Sequence, residues 1–219
     1  MLDYDVILFD LDGTLIDSGP GILKSAAYAL EKQNIHVEDL TELNCFIGPP
    51  LMDSFMDFYH MTEKEARKAV KDYRQLYCQQ GMYNNKVYEG IPQVLKALKD
   101  AGKTLLVTTS KPEALAKPIL EKAGLAGYFD LIAGALMDET RGKKSEVIAY
   151  ALETLGISRQ DRRRMVLVGD RKYDVLGAKS LDIDCIGVLY GYGDREELEN
   201  AGAKYIAACE EEITALLLG

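Results

Sequence analysis

The chain lacks any apolar run long enough to cross a bilayer. Its longest, such as "VILF" at Val6 to Phe9 and "ALLL" at Ala215 to Leu218, fall far short of the roughly 20 residues a spanning helix needs. The opening "MLDYD" is acidic and no small-residue cleavage site follows it, so no targeting segment is expected and the chain reads as cytoplasmic. Cysteine and histidine are sparse: Cys45, Cys78, Cys185 and Cys209 are widely separated, no CxxC pair occurs, and only His36 and His60 could assist them. That argues against a zinc site and a disulfide framework and leaves small buried or half-buried thiols. Positive charge is also in deficit, with 26 Lys and Arg against 35 Asp and Glu and a net charge of −9. Nucleic acid and anionic membranes are therefore disfavoured as partners, and any anionic substrate must be received by local positive charge. The one dense basic run, "DRRR" at Asp161 to Arg164, reads as a solvated loop before a strand-like segment.

No low-complexity tract or internal period is present, and 47% hydrophobic with 28% charged residues is the composition of a soluble globular protein. At 219 residues one core domain carrying a smaller insertion is expected. From Ile91 onward, β-rich runs ("TLLVTTS", "FDLIAGA", "MVLVGD", "DCIGVLYG", "KYIAA") alternate with segments of 3.6 periodicity. This alternation predicts an α/β fold with a Rossmann-like parallel sheet. Ile91, Val94, Leu95 and Leu98 form one helical stripe ending before Gly102. Val147, Ile148, Ala151, Leu152 and Leu155 form another, ending before Gly156.

The stretch from Ser18 to Val87 carries helical periods and almost no strand signal, and it reads as an inserted α-helical domain, 18–87, within a core of 1–17 and 88–219. In its last helix Thr62 and Glu65 make a capping box, Ala66, Ala69, Val70, Tyr73, Leu76 and Tyr77 make the stripe, and Gly81 stops it. "GPPLMDSFMDFYH" predicts a further helix with Leu51, Met52, Phe55, Met56 and Tyr59 facing inward. The turn-rich "DSGPG" and "MYNNKVYEG" are the expected hinges.

Ligands of open parallel sheets bind outside the carboxyl ends of the strands. The strand ends here carry Asp10 and Asp12, then Thr109 and Ser110, then Asp170, with Asp174 in the turn that follows. Carboxylates gathered so closely repel one another, and a hard divalent cation is the economical remedy. Mg²⁺ fits, since it takes carboxylates, water and phosphate and needs neither His nor Cys. Lys143 and Lys144 open a helix, where cations oppose the helix dipole. For at least one of them an anion held between the ammonium and the helix N-terminus resolves the conflict, and phosphate is the anion that Thr109, Ser110, a lysine and Mg²⁺ would jointly suit.

"DLDGT", the hydroxyl in "VTTSKP", the lysine in "GKKSEVI" and "GDRKYD" resemble, in order, the four motifs of the haloacid dehalogenase superfamily of phosphohydrolases. The resemblance spans essentially the whole chain. The helical insertion after the first motif is similar to the cap of the subgroup containing phosphoglycolate phosphatases, pyrophosphatase-like enzymes and small 5′-nucleotidases, and "GVLYGYGDREEL" with "AGAKYI" looks like that subgroup's C-terminal portion. The resemblance implies Asp10 as nucleophile and Asp12 as general acid and base. It implies Thr109, the Ser110 N–H, Gly13 and Lys144 around the phosphoryl group, with Lys144 preferred over Lys143 because it stands two residues before Glu146. Mg²⁺ would be held by Asp10, Asp170 and the Asp12 carbonyl, while Asp174 steadies its water shell.

The implied reaction is hydrolysis of a small phosphorylated metabolite through an aspartyl phosphate. Gly13, lacking a Cβ, lets the backbone approach the phosphate, and Thr14 fixes the turn. The cap should close over the phosphate with "FIGPPLMDSF" as the loop facing it, whereas Arg67 and Arg74, seven residues apart on one helix face, read as solvated. A phosphomutase of the same superfamily is the alternative. A receiver-like signalling domain is disfavoured by the helical insertion and by the absence of an acceptor Asp at a third strand end, and intact motifs weigh against a non-catalytic binding protein.

Overall fold

The apolar run Val6–Phe9 forms β1, whose inner residues Ile7, Leu8 and Phe9 are wholly buried. A strand buried on both faces needs partners on both edges, and β1 has them in the computed structural model, which describes residues 2–158 and 160–219. The next elements are β2 (Ile16–Asp17), α1 (Gly19–Glu31), a 3₁₀ segment at Leu40–Phe46, α2 (Leu51–Tyr59), α3 (Glu63–Leu76), a π turn at Tyr77–Gly81 and β3 (Lys86–Val87). There follow α4 (Ile91–Asp100), β4 (Thr104–Pro112), α5 (Glu113–Lys122), β5 (Leu131–Ala135), α6 (Lys144–Leu155), β6 (Met165–Gly169) and α7 (Lys172–Lys179). The chain ends in β7 (Asp184–Val188), α8 (Arg195–Ala201), β8 (Tyr205–Ala207) and α9 (Glu210–Leu218).

Six strands form one parallel sheet in the order β5-β4-β1-β6-β7-β8. Ile7 lies opposite Leu105 on one side and Val166 on the other. Alternate residues of the central strands serve different layers. Ile7, Phe9, Leu105, Val107, Val166 and Val168 share a core with α4, α5 and α9, while Leu8, Leu106, Met165 and Leu167 pack with α6 and α7. From β1 the chain fills one side of the sheet through β4 and β5, then returns to β1's other edge with β6. The strand order therefore reverses at β1, and a crevice opens beyond the ends of β4, β1 and β6.

Between β2 and β3 the described residues are helical, apart from their connections. Asp17 and Ile16 pair antiparallel with Lys86 and Val87, so both expected hinges contribute to one two-stranded ribbon. The Thr62–Glu65 capping box is present, with Thr62 N–H donating to Glu65 at 2.9 Å. Past Leu76 the helix loosens into the π turn that ends at Gly81. There Gly21 of α1 meets Gly81: a Cβ on Gly21 would lie 2.2 Å from the Gly81 carbonyl oxygen.

Four expectations need correction. In α2, Met56 turns outward beside Phe58, and Ser54 is buried instead, its hydroxyl donating to the Pro50 carbonyl at 3.1 Å. This helix lies on the remainder through a narrower face than its apolar count suggests. Leu155, in the last turn of α6, is exposed. Cys78 is exposed rather than buried or half-buried, although all four cysteines are free. The basic run forms a 3₁₀ turn at Gln160–Arg164 that is more than a solvated loop, for Arg164 pairs with Asp5 at 2.6 Å and Arg162 donates to the Leu181 carbonyl at 3.3 Å. No helix among the described residues is long and apolar enough to cross a membrane.

The Gly21–Gly81 contact gives a measurable expectation. Gly21→Ala should lower the unfolding free energy by about 1–3 kcal/mol, because backbone must move to admit the methyl. Gly127→Ala, which meets nothing within 4 Å, should stay within about 0.5 kcal/mol. Equal midpoints for the two variants in urea denaturation would refute the tight crossing.

Candidate active site

At the end of β1 the backbone turns sharply, and Gly13 adopts φ +84°. A Cβ at Gly13 would sit 2.2 Å from an Asp170 carboxylate oxygen. The missing side chain therefore makes room first for Asp170, a different use of this glycine from the approach to phosphate expected above. Thr14 donates its hydroxyl to Asp170 at 3.3 Å, and the Tyr192 N–H donates to the other Asp170 oxygen at 2.8 Å. Tyr190 donates to the Thr14 carbonyl at 3.0 Å, and the Tyr192 hydroxyl bonds Asp17 while accepting the Gly19 N–H at 2.8 Å. Two tyrosines of the loop after β7 thus hold the turn after β1.

Asp10, Asp170 and Asp174 are buried, and each offers an oxygen within 4.8 Å of the others. Lys144, from the first turn of α6, inserts its ammonium among them at 2.5 Å from Asp10 and 2.8 Å from Asp174, and donates to the Thr108 carbonyl at 2.8 Å. Lys143 is exposed and is held through its backbone, its N–H donating to the Glu146 carboxylate at 3.1 Å and its carbonyl accepting the Glu146 and Val147 N–H groups at 3.0 and 3.1 Å. Asp174 also accepts the Arg171 N–H at 3.0 Å across the start of α7.

One ammonium cannot neutralise three buried carboxylates. Burial raises the Asp10 carboxyl, Lys144 pulls it back, and Asp174 and Asp12 push it up again, to about 7. Asp170 is driven well above the carboxylate range by burial first and then by Asp174 and Asp10. Burial works against the Lys144 charge, yet Asp10 and Asp174 outweigh it and hold the ammonium above its ordinary value. A compact set of hard oxygen donors with excess negative charge is a donor set for a divalent cation.

Asp12 faces elsewhere. Both its oxygens accept from the Lys111 ammonium at 2.6 Å, and one also accepts the Ser18 hydroxyl at 2.5 Å. Lys111 and Ser18 are buried. Neither is singled out by the sequence reading, though Lys111 directly follows the strand-end hydroxyls and Ser18 closes "LIDS". Thr109 is buried, and its hydroxyl oxygen accepts the Lys111 N–H at 3.1 Å, so its proton is available to a ligand. The Ser110 hydroxyl is buried without a protein partner among the described residues.

The "FIGPPLMDSF" loop lies over this edge. Arg171 donates to the Ile47 carbonyl at 2.5 Å and to the Asn44 carbonyl at 3.3 Å, and its other arm pairs with Glu197 at 2.9 Å. Two cavities flank the loop. One of about 290 Å³ runs between α2 and α7 and reaches Lys144 and Ser110. The other, about 50 Å³, is lined by Asp12, Lys111 and Ser110 together with Phe46, Tyr77 and Arg74. Arg67 pairs with Glu63 in solvent, but Arg74 is not the solvated residue expected, for it bonds the Met137 carbonyl and Glu139 across to the loop after β5.

A parallel sheet with a reversal of strand order carries, at its carboxyl edge, a buried acidic cluster and a buried lysine, an arrangement in keeping with an α/β enzyme of phosphoryl chemistry. The model of the haloacid dehalogenase-like hydrolase family matches residues 7–188. A 5′-nucleotidase of Pseudomonas aeruginosa is 42% identical over 197 residues, covering 90% of this chain and 88% of that protein. Tyrosine-protein kinase PtkA of Mycobacterium tuberculosis is 36% identical over 214 residues, covering 97% of this chain and 72% of the relative. The crystal structure of a predicted phosphatase from Clostridium acetobutylicum is similar with a TM-score of 0.94 at 48% identity, covering 99% of this chain and 98% of that one. The chain belongs to the haloacid dehalogenase-like hydrolase family, within its phosphatases.

Removing the shared cation tests the electrostatics of the cluster. Lys144→Met should cost about 3–5 kcal/mol of stability at pH 8, since it leaves buried carboxylates unpaired. Adding Asp10→Asn should restore part of that loss. Strictly additive effects in the denaturation cycle would show that the two groups do not interact.

Proposed function

We propose that this chain is a Mg²⁺-dependent phosphomonoester hydrolase that works on a small phosphorylated metabolite through an aspartyl phosphate on Asp10. The single observation that carries the reading is the seating of the Lys144 ammonium 2.5 Å from Asp10 inside the acidic cluster. A carboxylate approaching a phosphate dianion meets like charge, and a fixed ammonium beside both offsets it. The donor set fits Mg²⁺, with Asp10, Asp170 and the Asp12 carbonyl as holders and Asp174 behind them, steadied by Lys144. Bound there, the ion would offset charge on the nucleophile and the transferring group.

The residues of the chain divide the remaining work. Thr109, the Ser110 N–H, Gly13 and Lys144 receive the phosphoryl oxygens. As the bond from an Asp10 oxygen to phosphorus forms, the bond from phosphorus to the leaving oxygen breaks, and that oxygen takes its electron pair and a proton from Asp12. Asp12 then takes a proton from the water that attacks the phosphorus of the aspartyl phosphate, releasing inorganic phosphate and restoring Asp10. Residues 18–87 act as a cap on a core of 1–17 and 88–219, with the loop at Ile47 to Pro50 excluding water from the reaction.

Asp10→Asn should fold with an unchanged circular dichroism spectrum and lose about 10³-fold or more of kcat. A chelator should abolish turnover and added Mg²⁺ restore it, in a phosphate-release assay on phosphorylated metabolites; full turnover in metal-free buffer would refute the metal requirement.

The raised carboxyls also set a pH dependence. Between the ordinary carboxyl range near 4 and about 7, folded Asp10 holds a proton that the unfolded chain has lost, so metal-free stability falls as pH rises through that window. Mg²⁺ competes with those protons, and the rise in Tm it produces should be larger at pH 8 than at pH 5. An equal rise at both values would contradict cation binding to the carboxylate cluster.

A further inference from the structure

The loop that follows β7 is pressed onto Asp170. A Cβ at Gly193 would lie 2.0 Å from the Asp170 carbonyl oxygen, and one at Gly191 would lie 2.4 Å from both the Asp170 Cβ and the Gly13 carbonyl oxygen. Between these glycines the Tyr192 N–H donates to one Asp170 carboxylate oxygen at 2.8 Å, while Thr14 holds the other at 3.3 Å. Packing this close leaves no slack, so a displacement of Asp170 is passed to the loop.

The side chain of the same Tyr192 leaves the acidic cluster and ends on the junction through which the chain enters the helical segment. Its hydroxyl donates to the Asp17 carboxylate and accepts the Gly19 N–H at 2.8 Å, with Asp17 a longer partner of that N–H at 3.3 Å. Gly19 opens α1, and the first N–H groups of a helix need acceptors from outside it. Ser18, at the N-cap, makes no side-chain cap and gives its hydroxyl to Asp12. Tyr192 therefore supplies from the core the nearer acceptor for the start of α1. The fit is tight here as well: a Cβ at Gly19 would lie 2.3 Å from the Tyr192 hydroxyl oxygen.

The returning strand of the junction is held by the neighbouring tyrosine. Tyr190 packs on Tyr88, just past β3, with ring centres 4.8 Å apart, and it donates to the Thr14 carbonyl at 3.0 Å. The Tyr88 N–H in turn donates to the Leu15 carbonyl at 3.3 Å. The loop 189–193 thus touches Asp170, the outgoing chain at Asp17 and Gly19, and the incoming chain at Tyr88. Arg171 does not duplicate this link, because its guanidinium goes to the carbonyls of Asn44 and Ile47 and to Glu197 rather than to the junction.

We propose that Tyr192 is a positioning residue that couples cation occupancy at Asp170 to the seating of the hinge between core and cap. This rests on the reading of Asp170 as a Mg²⁺ ligand and of residues 18–87 as a cap. With an ion bound, the Asp170 carboxylate is fixed, the Tyr192 N–H is fixed on it, and the tyrosine ring carries that constraint to Asp17 and Gly19. Without the ion, Asp170 is free to shift away from Asp10 and Asp174, and the hinge has a looser anchor. A coupling of this kind is reciprocal, so a seated hinge also raises the affinity for the ion.

The test is hydrogen exchange of the intact protein, read by mass spectrometry over residues 15–24 and 82–90 with and without Mg²⁺ and in the absence of substrate, beside calorimetric titration of Mg²⁺. In the native chain Mg²⁺ should slow exchange at the hinge by about 5-fold or more, the lower end of common coupling factors. Tyr192→Phe keeps the N–H on Asp170 and loses the bonds to Asp17 and Gly19. In that variant the slowing by Mg²⁺ should be lost, and the ion should bind more weakly by a similar factor. Asp17→Ala, which removes one partner of the hydroxyl from the far end, should move both readouts in the same direction and serves if Tyr192→Phe does not fold. A hydroxyl with a merely structural role would speed hinge exchange equally with and without Mg²⁺ and leave the binding constant unchanged, and that result overturns the coupling. Mg²⁺ binding to the native chain with no change in hinge exchange overturns it as well, while leaving the metal site standing. No binding of Mg²⁺ to the native chain overturns the metal reading and this inference together.

Discussion

The site depends on one ammonium placed where water cannot screen it. Lys144 reaches from the start of α6 to Asp10 just past β1, Asp174 on α7 and the Thr108 carbonyl on β4. These groups come from four elements that meet because strand order reverses at β1. At contact distance in a poorly solvated interior, each of these interactions is several times stronger than the same pair in water, and each loses that strength when one element shifts. The position of Lys144 also explains a sequence oddity. A cation in the first turn of a helix opposes the helix dipole, and here the carboxylates it reaches outweigh that local disfavour.

The second ammonium, Lys111, does a parallel service for Asp12, so the two acids of "DLDGT" are held in separate electrostatic environments although one residue divides them. Asp10 sits among carboxylates and is pushed towards neutrality by burial, while Asp12 accepts the Lys111 ammonium at both oxygens and the Ser18 hydroxyl at one of them. Paired acids in one site commonly take different duties when their surroundings differ. Contact between the helical segment and the core follows the same charge logic. Arg171, placed by the fourth motif, binds carbonyls of the loop at Asn44 to Ile47, and Arg74 on α3 bonds Glu139 beyond β5. One arginine from each side thus ties the helical segment to the rest of the chain, Arg171 at the loop and Arg74 at α3.

Much of this was legible in the sequence. Buried parallel strands announce themselves as continuous apolar runs, so β1, β4 and β6 and the acids or hydroxyls at their ends could be read directly, as could the capping box at Thr62. Other features were not. Lys111 reaches Asp12 across 99 residues of chain and Ser18 across six, through the turn after β1, and nothing in the spacing of a lone lysine or serine reports that. The ribbon of β2 and β3 is two residues deep on each side, too short for any alternation to show. Periodicity overstated the inward face of α2, since Ser54 satisfies its hydroxyl on the preceding turn and can be buried where Met56 was expected. Arg74 looked like a surface residue because its partners are more than sixty residues away.

The ribbon has an architectural consequence. The chain leaves the core at Asp17 and returns at Lys86, and these two residues are paired neighbours. Seen from the sheet, the entire helical segment is a long excursion between two points already side by side. Closing the chain across such a gap depends only weakly on how many residues make the excursion. Chain closure at this junction therefore sets little constraint on the length of the segment, and what constrains it instead is the set of side chains it shares with the sheet, from the common apolar core to the bonds of Ser18 and Arg74.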